Sequence, residues 1–159
     1  MRRIEDTDHS AHDARNLSEE LKEVAWDLLP DLKGYKAHNW QCLDNLEGRG
    51  NYVSISTSVG CPYNCDFCSI HATFGERKTR FWSPEWALRQ IDYLVNKKRI
   101  KNLKIIDEEF TLDRNHFMPI IEGLIERDYG LNIWTYTRVN NIPNEKDLEK
   151  LKKAGINWL

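Results

Sequence analysis

The sequence predicts an α/β fold, a partial TIM-type (β/α) barrel of about three βα units plus a strand stub, preceded by an N-terminal helix and connector. The first observation behind this is alternation. Strand-like runs begin near residues 52, 103 and 131, each followed by a helical pattern, and a further strand opens at 156. Such alternation implies parallel strands joined by right-handed helical crossovers, and a parallel sheet must be covered on both faces or closed into a barrel. The second observation is length. A full barrel takes ~250 residues, and the 108 residues from Tyr52 onward amount to about half of one. The expected organisation is a disordered start over 1–15, a helix and connector over 16–51, and a truncated core over 52–159.

Residues 1–15 are polar, with Asp6, Asp8, His9, His12 and Asp13 and almost nothing to bury. Leu17, Leu21, Val24, Ala25 and Leu28 then recur at helical spacing, predicting an amphipathic helix over about 16–29 that stops at Pro30. The connector from Asp31 to about Asn51 has no clear period. Tyr52 to Thr57 alternates and is rich in β-branched residues, as a strand is. Ser83-Pro84-Glu85 is a helix start, with a capping hydroxyl, a proline at the first helical position and an early carboxylate. Leu88, Ile91, Leu94 and Val95 supply that helix's apolar face. Leu103 to Ile106 reads as a short apolar strand ending in Asp107-Glu108-Glu109. Asp113 is placed to cap a helix whose face is Phe117, Ile120, Ile121, Leu124 and Ile125. Leu131 to Thr137 reads as the third strand, Asn144 to Asp147 opens a helix ending at Gly155, and Ile156 begins the stub.

Composition narrows the function classes. The 159 residues are 40% apolar, 30% charged and 11% aromatic, which excludes collagen-like, low-complexity and wholly disordered chains. No run approaches the ~20 apolar residues of a membrane span. The start, Met1 to Asp6, has basic residues without an apolar run behind them, unlike a secretory signal. A formal net charge of -2 gives no global reason to expect nucleic acid as a partner. The basic run Lys97-Lys98-Arg99-Ile100-Lys101 suggests RNA, but it falls at a helix C-terminus, where cations complement the dipole and a solvated face is the favoured reading. The six tryptophans read as core and interface material. The expected compartment is the cytoplasm, where crowded cysteines point to metal rather than to disulfides.

The informative segment is Cys61-Pro62-Tyr63-Asn64-Cys65-Asp66-Phe67-Cys68, spaced C-x3-C-x2-C and following the first strand. That places it on the C-terminal rim, where barrel active sites form. Three thiolates within eight residues suit three irons of a [4Fe–4S] cluster and leave the fourth iron open to a substrate or cofactor. The rival is structural zinc, with His71 as fourth ligand in a Cys3His set. Zinc sites usually pair two knuckles across a longer loop, whereas these four side chains lie within eleven residues. Cys42, nineteen residues before the motif, reads as an ordinary thiol.

The motif, its position after a first strand and the βα order that follows resemble the radical S-adenosylmethionine (radical SAM) superfamily over roughly residues 52–159. The resemblance is closer to the subgroup with an N-terminal cobalamin-binding domain, which includes methyltransferases and the anaerobic magnesium-protoporphyrin cyclase. It rests on Leu29-Pro30, Tyr35, His38-Asn39-Trp40, Thr57 to Cys61, Ile106 to Phe110 and Asn132 to Arg138. The resemblance implies an enzyme that cleaves S-adenosylmethionine reductively to methionine and a 5′-deoxyadenosyl radical, which then abstracts hydrogen from a substrate. Methyl transfer and cyclisation are the reactions it suggests. Cys61, Cys65 and Cys68 become the cluster ligands, and Phe67 lies near the adenine. Where the family has a Gly-Gly-Glu-like segment contacting the methionyl amino group, this chain reads Asp107-Glu108-Glu109-Phe110, with Glu109 first and Asp107 second as candidates. Arg138, which shares the rim with Asn140, is placed to pair with a cofactor carboxylate or with Asp107. The acids have a plainer reading too, as solvated residues in a turn. The implied partner is a low-potential electron donor such as flavodoxin or ferredoxin. Cobalamin is expected only through a domain absent from this chain, since residues 1–51 hold no Asp-x-His-x-x-Gly segment. With later strands missing, the chain is expected to load a cluster and turn the cofactor over poorly.

Overall fold

The computed structural model describes residues 17–21, 23–38, 47 and 49–159. The expected disordered start and Cys42 lie outside the described residues. Four strands form one parallel sheet in the order β1 (Tyr52–Ile55), β4 (Asn102–Ile105), β5 (Asn132–Trp134) and β6 (Ile156–Trp158). Between β1 and β4 runs helix α3 (Pro84–Lys98), between β4 and β5 α4 (Arg114–Arg127), and between β5 and β6 α5 (Glu145–Lys153). Each helix begins where its capping residue stands. The side chains of Ser83, Asp113 and Asn144 accept from the backbone N–H of Trp86, Asn115 and Asp147.

One sheet face is apolar and meets the helices. Val53, Ile55, Leu103, Ile105, Ile133 and Ile156 are buried, and Ala87, Ile91, Leu94, Phe117, Ile120, Ile121, Leu124 and Leu151 are buried with them in one core. Alternation sends the other residues to the opposite face. There Tyr52 stacks on Trp134 with ring centroids 5.1 Å apart. Asn102, Asn132 and Asn157 form a side-chain ladder, with amide-to-oxygen distances of 2.9 Å and 2.8 Å. Three asparagines on adjacent strands satisfy one another in this way, so that the amides are not left bare.

The expected helix over 16–29 is not continuous. α1 covers Leu17–Glu20, and Trp26–Leu28 is a separate 3-10 turn. Leu17 is buried, but Leu21, Val24 and Leu28 are exposed, so the helical stripe finds no apolar surface to cover. Beyond Leu17 and Trp26, which pack on the core, the segment is fastened by polar bonds to the buried Gln90 of α3. Trp26 Nε1 donates to its Oε1 at 2.8 Å, and its Nε2 donates to Glu23 Oε2 at 2.7 Å. Among the described residues no helix is long and apolar enough to cross a membrane.

A second, two-stranded antiparallel sheet had no signal in the sequence. β2 (Ser58–Val59) pairs with β3 (Arg80–Phe81), in the register Ser58 to Phe81 and Val59 to Arg80. The cysteine segment and the short helix α2 (Ile70–Phe74) thus form an excursion whose two ends are pinned together.

Candidate functional site

Gly60 opens the excursion. Its φ is +88°, and a Cβ there would lie 2.3 Å from Lys78 O, so the close pass of the two ends admits only glycine. Cys61 follows directly. The loop then turns back on itself, with Cys68 N donating to Cys65 O at 3.0 Å. Cys61, Cys65 and Cys68 are free thiols; the first two are half-buried and the third is exposed. Phe67 is 93% exposed, an aromatic ring beside the thiols that the protein's own core does not use.

Among the described residues no three His, Cys, Asp or Glu side chains gather closely enough to grip one metal ion. His71 is turned away from such a role. Its Nε2 lies 2.6 Å from Tyr63 O and its Nδ1 faces Glu76 O at 3.4 Å, so both ring nitrogens point at backbone carbonyls. A Cys3His zinc site needs four ligands converging on one ion with an imidazole lone pair free. A cluster offers a separate iron to each thiolate, so its ligands need not meet at one point.

The acidic segment after β4 divides into three different environments. Asp107 is fully buried. Its Oδ1 accepts Thr57 N–H at 2.6 Å, and its Oδ2 accepts the hydroxyls of Thr57 at 2.6 Å and Ser58 at 2.8 Å. Burial pushes its carboxyl up, opposed by the hydrogen bonds from Thr57 and Ser58. The Thr57 hydroxyl also lies 3.0 Å from Nε2 of the buried His116, whose pKa burial depresses to about 4. Glu109 is buried as well. Its Oε1 accepts the hydroxyls of Thr111 and Thr137, each at 3.0 Å, and its Oε2 accepts Arg138 N–H at 2.8 Å. The two acids favoured for the cofactor amino group therefore have every oxygen engaged within the protein. Glu108 differs: its Oε2 is buried and has no hydrogen-bond partner. A carboxylate oxygen withdrawn from water and left unpaired is costly unless something else meets it.

Arg138 does not pair with Asp107, whose oxygens are filled by Thr57 and Ser58. Its Nη1 lies 2.9 Å from Cys65 Sγ, and its Cζ sits 4.0 Å over the ring of Tyr63. The bond to Cys65 raises the already high pKa of the guanidinium. Tyr63 and Asn141 exchange hydrogen bonds, from Asn141 Nδ2 at 2.6 Å and to Asn141 Oδ1 at 2.9 Å. The segment after β5 is thereby clasped to the cysteine loop. The sequence assigns no site role to Thr57, Ser58, His116, Tyr63 or Asn141, although Thr57, Ser58 and Tyr63 stand in or beside the motif. A polar pair just beyond an apolar strand is the signal that Thr57 and Ser58 have a buried partner to meet.

The model of the Radical SAM superfamily matches residues 55–159. An uncharacterized methyltransferase of Pyrococcus horikoshii is 33% identical over 138 residues, 86% of this chain and 27% of that protein. The anaerobic magnesium-protoporphyrin IX monomethyl ester cyclase of Cereibacter sphaeroides is 32% identical over 104 residues, 61% of this chain and 16% of that protein. The chain thus spans 27% or less of the length of these two relatives. In fold, it is similar to the radical S-adenosylmethionine methyltransferase TsrM of Kitasatospora setae, solved with cobalamin and a [4Fe–4S] cluster bound. The TM-score is 0.59 and the identity 24%, over 71% of this chain and 23% of that one. With its parallel βα core and a family match over 55–159, the chain belongs to the radical SAM superfamily, enzymes whose cofactors are a [4Fe–4S] cluster and S-adenosylmethionine.

Proposed function

We propose that Cys61, Cys65 and Cys68 hold a [4Fe–4S] cluster and that the rim beside them binds S-adenosylmethionine, for radical chemistry of the methyl-transfer or cyclisation class. The observation that carries this is the set of three free thiols on one excursion that leaves the C-terminal side of the sheet. The donor chemistry fits the cluster, since soft thiolates are its usual ligands. When bound, the cluster supplies the electron that splits a carbon–sulfur bond of S-adenosylmethionine, giving methionine and a 5′-deoxyadenosyl radical. That electron has to come from a low-potential donor of the flavodoxin or ferredoxin kind.

The chain's own residues bind and orient. Glu108 offers its unpaired Oε2 to the cofactor's ammonium group, a charge-assisted hydrogen bond. Asp107 and Glu109 hold the rim in shape rather than meeting the cofactor. Phe67 presents an exposed ring for the adenine to stack on. The methyltransferase and cyclase names of the relatives support the reaction class.

The test is iron and sulfide quantitation on anaerobically reconstituted protein, with an electron paramagnetic resonance spectrum of the reduced sample. Four irons and four sulfides per chain are expected, with loss of the cluster on changing Cys61, Cys65 or Cys68 to Ala and retention in Cys42→Ala. A chain that takes up one zinc and no iron overturns the reading.

A further inference from the structure

Arg138 is fixed from several directions at once. Its backbone N–H donates to Glu109 Oε2 at 2.8 Å and its Nε to Asn140 Oδ1 at 3.1 Å. Its guanidinium lies over Tyr63, whose hydroxyl is bonded to Asn141 and whose carbonyl accepts from His71 Nε2 at 2.6 Å. What this bracing delivers is the 2.9 Å approach of Nη1 to Cys65 Sγ. A guanidinium has five donors and no acceptor, so the contact is an N–H donated to sulfur, strongest when the sulfur is a thiolate.

We infer that Arg138 raises the reduction potential of the cluster by donating this hydrogen bond to a ligand sulfur. The inference rests on Cys65 being a cluster ligand. One-electron reduction, supplied by the low-potential donor, takes the cluster core from the 2+ to the 1+ state and adds one negative charge. A fixed cation bonded to a ligand sulfur favours the more negative state. Hydrogen bonds to the sulfurs and nearby charge are among the levers that set such potentials. Asn140 and Tyr63 act through Arg138 as positioning residues, one holding Nε and the other lying against the guanidinium plane.

The experiment is a redox titration of the reconstituted 159-residue chain, followed by electron paramagnetic resonance, without S-adenosylmethionine. Parent, Arg138→Gln and Arg138→Lys are compared after iron and sulfide have been counted in each. In Arg138→Gln the ratio of reduced to oxidised cluster at a fixed solution potential is expected to fall about tenfold, a shift of about 59 mV for one electron. Arg138→Lys keeps the charge without the rigid fork and is expected to fall between the two. An unchanged potential in Arg138→Gln overturns the inference; should that variant load no cluster, an unchanged potential in Arg138→Lys does so. In a separate calorimetric titration of the cluster-loaded proteins, weaker S-adenosylmethionine binding in Arg138→Gln with an unchanged potential also overturns it and returns Arg138 to a cofactor-carboxylate role. A parent chain that takes up no iron and sulfide instead overturns the assignment of the cysteines.

Discussion

The hydroxyl of Thr57 donates to Oδ2 of Asp107 at 2.6 Å, joining the segment that leads into the cysteine excursion to the second residue beyond β4. The same carboxylate accepts the Thr57 N–H and the Ser58 hydroxyl, so three donors depend on one buried side chain. Leaving a buried donor unpaired costs about 1–3 kcal/mol. Asp107→Ala is therefore expected to lose roughly 3 kcal/mol or more of stability, and Thr57→Val a smaller share, while Thr57→Ser keeps the hydroxyl and most of the stability. Urea denaturation measures this. An Asp107→Ala midpoint equal to the parent's would mean that the buried network does not hold the excursion.

The next bond in that chain gives a pH dependence. His116 titrates near 6.5 when unfolded and about 4 when folded, because burial disfavours its charged form. Between those values the unfolded chain takes up a proton that the folded chain refuses. Stability from this residue is thus complete above pH 6.5, falls as pH drops, and levels off below about 4. The span corresponds to about 3 kcal/mol. Asp107 works in the opposite sense, since burial raises its carboxyl and favours the protonated form. Stability curves of the parent and His116→Gln between pH 4 and 7 are expected to diverge by this slope; parallel curves would show that His116 takes up its proton in the folded protein as easily as in the unfolded one.

Gly60 makes a steric prediction. At φ +88° with Lys78 O at 2.3 Å from a built Cβ, alanine must both adopt a left-handed backbone and displace a backbone carbonyl. Gly60→Ala is expected to lower stability by roughly 1–3 kcal/mol and to disturb cluster loading together with it, because the next residue is Cys61. Iron content and the urea midpoint report the two effects. A variant unaffected in both would show that the ends of the excursion separate freely.

Much of this architecture was legible in the residues. Ser83, Asp113 and Asn144 marked helix starts because a capping side chain is a local signal, and the apolar residues of one face gave the parallel strands because that face meets the helices. The N-terminal helix was misread because periodicity says nothing about whether a surface exists for the stripe to cover; Trp26 and Glu23 bond Gln90 instead. The β2–β3 pair is two residues deep and joins Ser58 to Phe81 across the motif, too short to carry a period. At the site, the cysteine spacing was local and readable. Which of three successive acids is free depends on Thr57, Ser58, Thr111 and Thr137, all brought in by folding.

That division of the acids yields the sharpest test of the rim. Glu109 has Oε1 bonded to Thr111 and Thr137 and Oε2 bonded to Arg138 N–H, whereas Glu108 has a buried oxygen with no hydrogen-bond partner. If Glu108 meets the ammonium of S-adenosylmethionine, Glu108→Gln removes a charge-assisted bond worth about 1.5–3 kcal/mol, which is roughly a 10- to 150-fold loss of affinity. The fold should be spared, because no partner within the protein loses its bond. Glu109→Gln should behave in the reverse manner. It replaces an acceptor oxygen with an amide that cannot accept, so a threonine hydroxyl or the Arg138 amide is left unpaired and the denaturation midpoint drops. Cofactor binding to the cluster-loaded protein, by calorimetry, and urea midpoints for both variants separate the roles. Affinity lost in Glu109→Gln and kept in Glu108→Gln, at equal stability, would reassign the cofactor contact to Glu109 and leave the bare oxygen of Glu108 to another ligand.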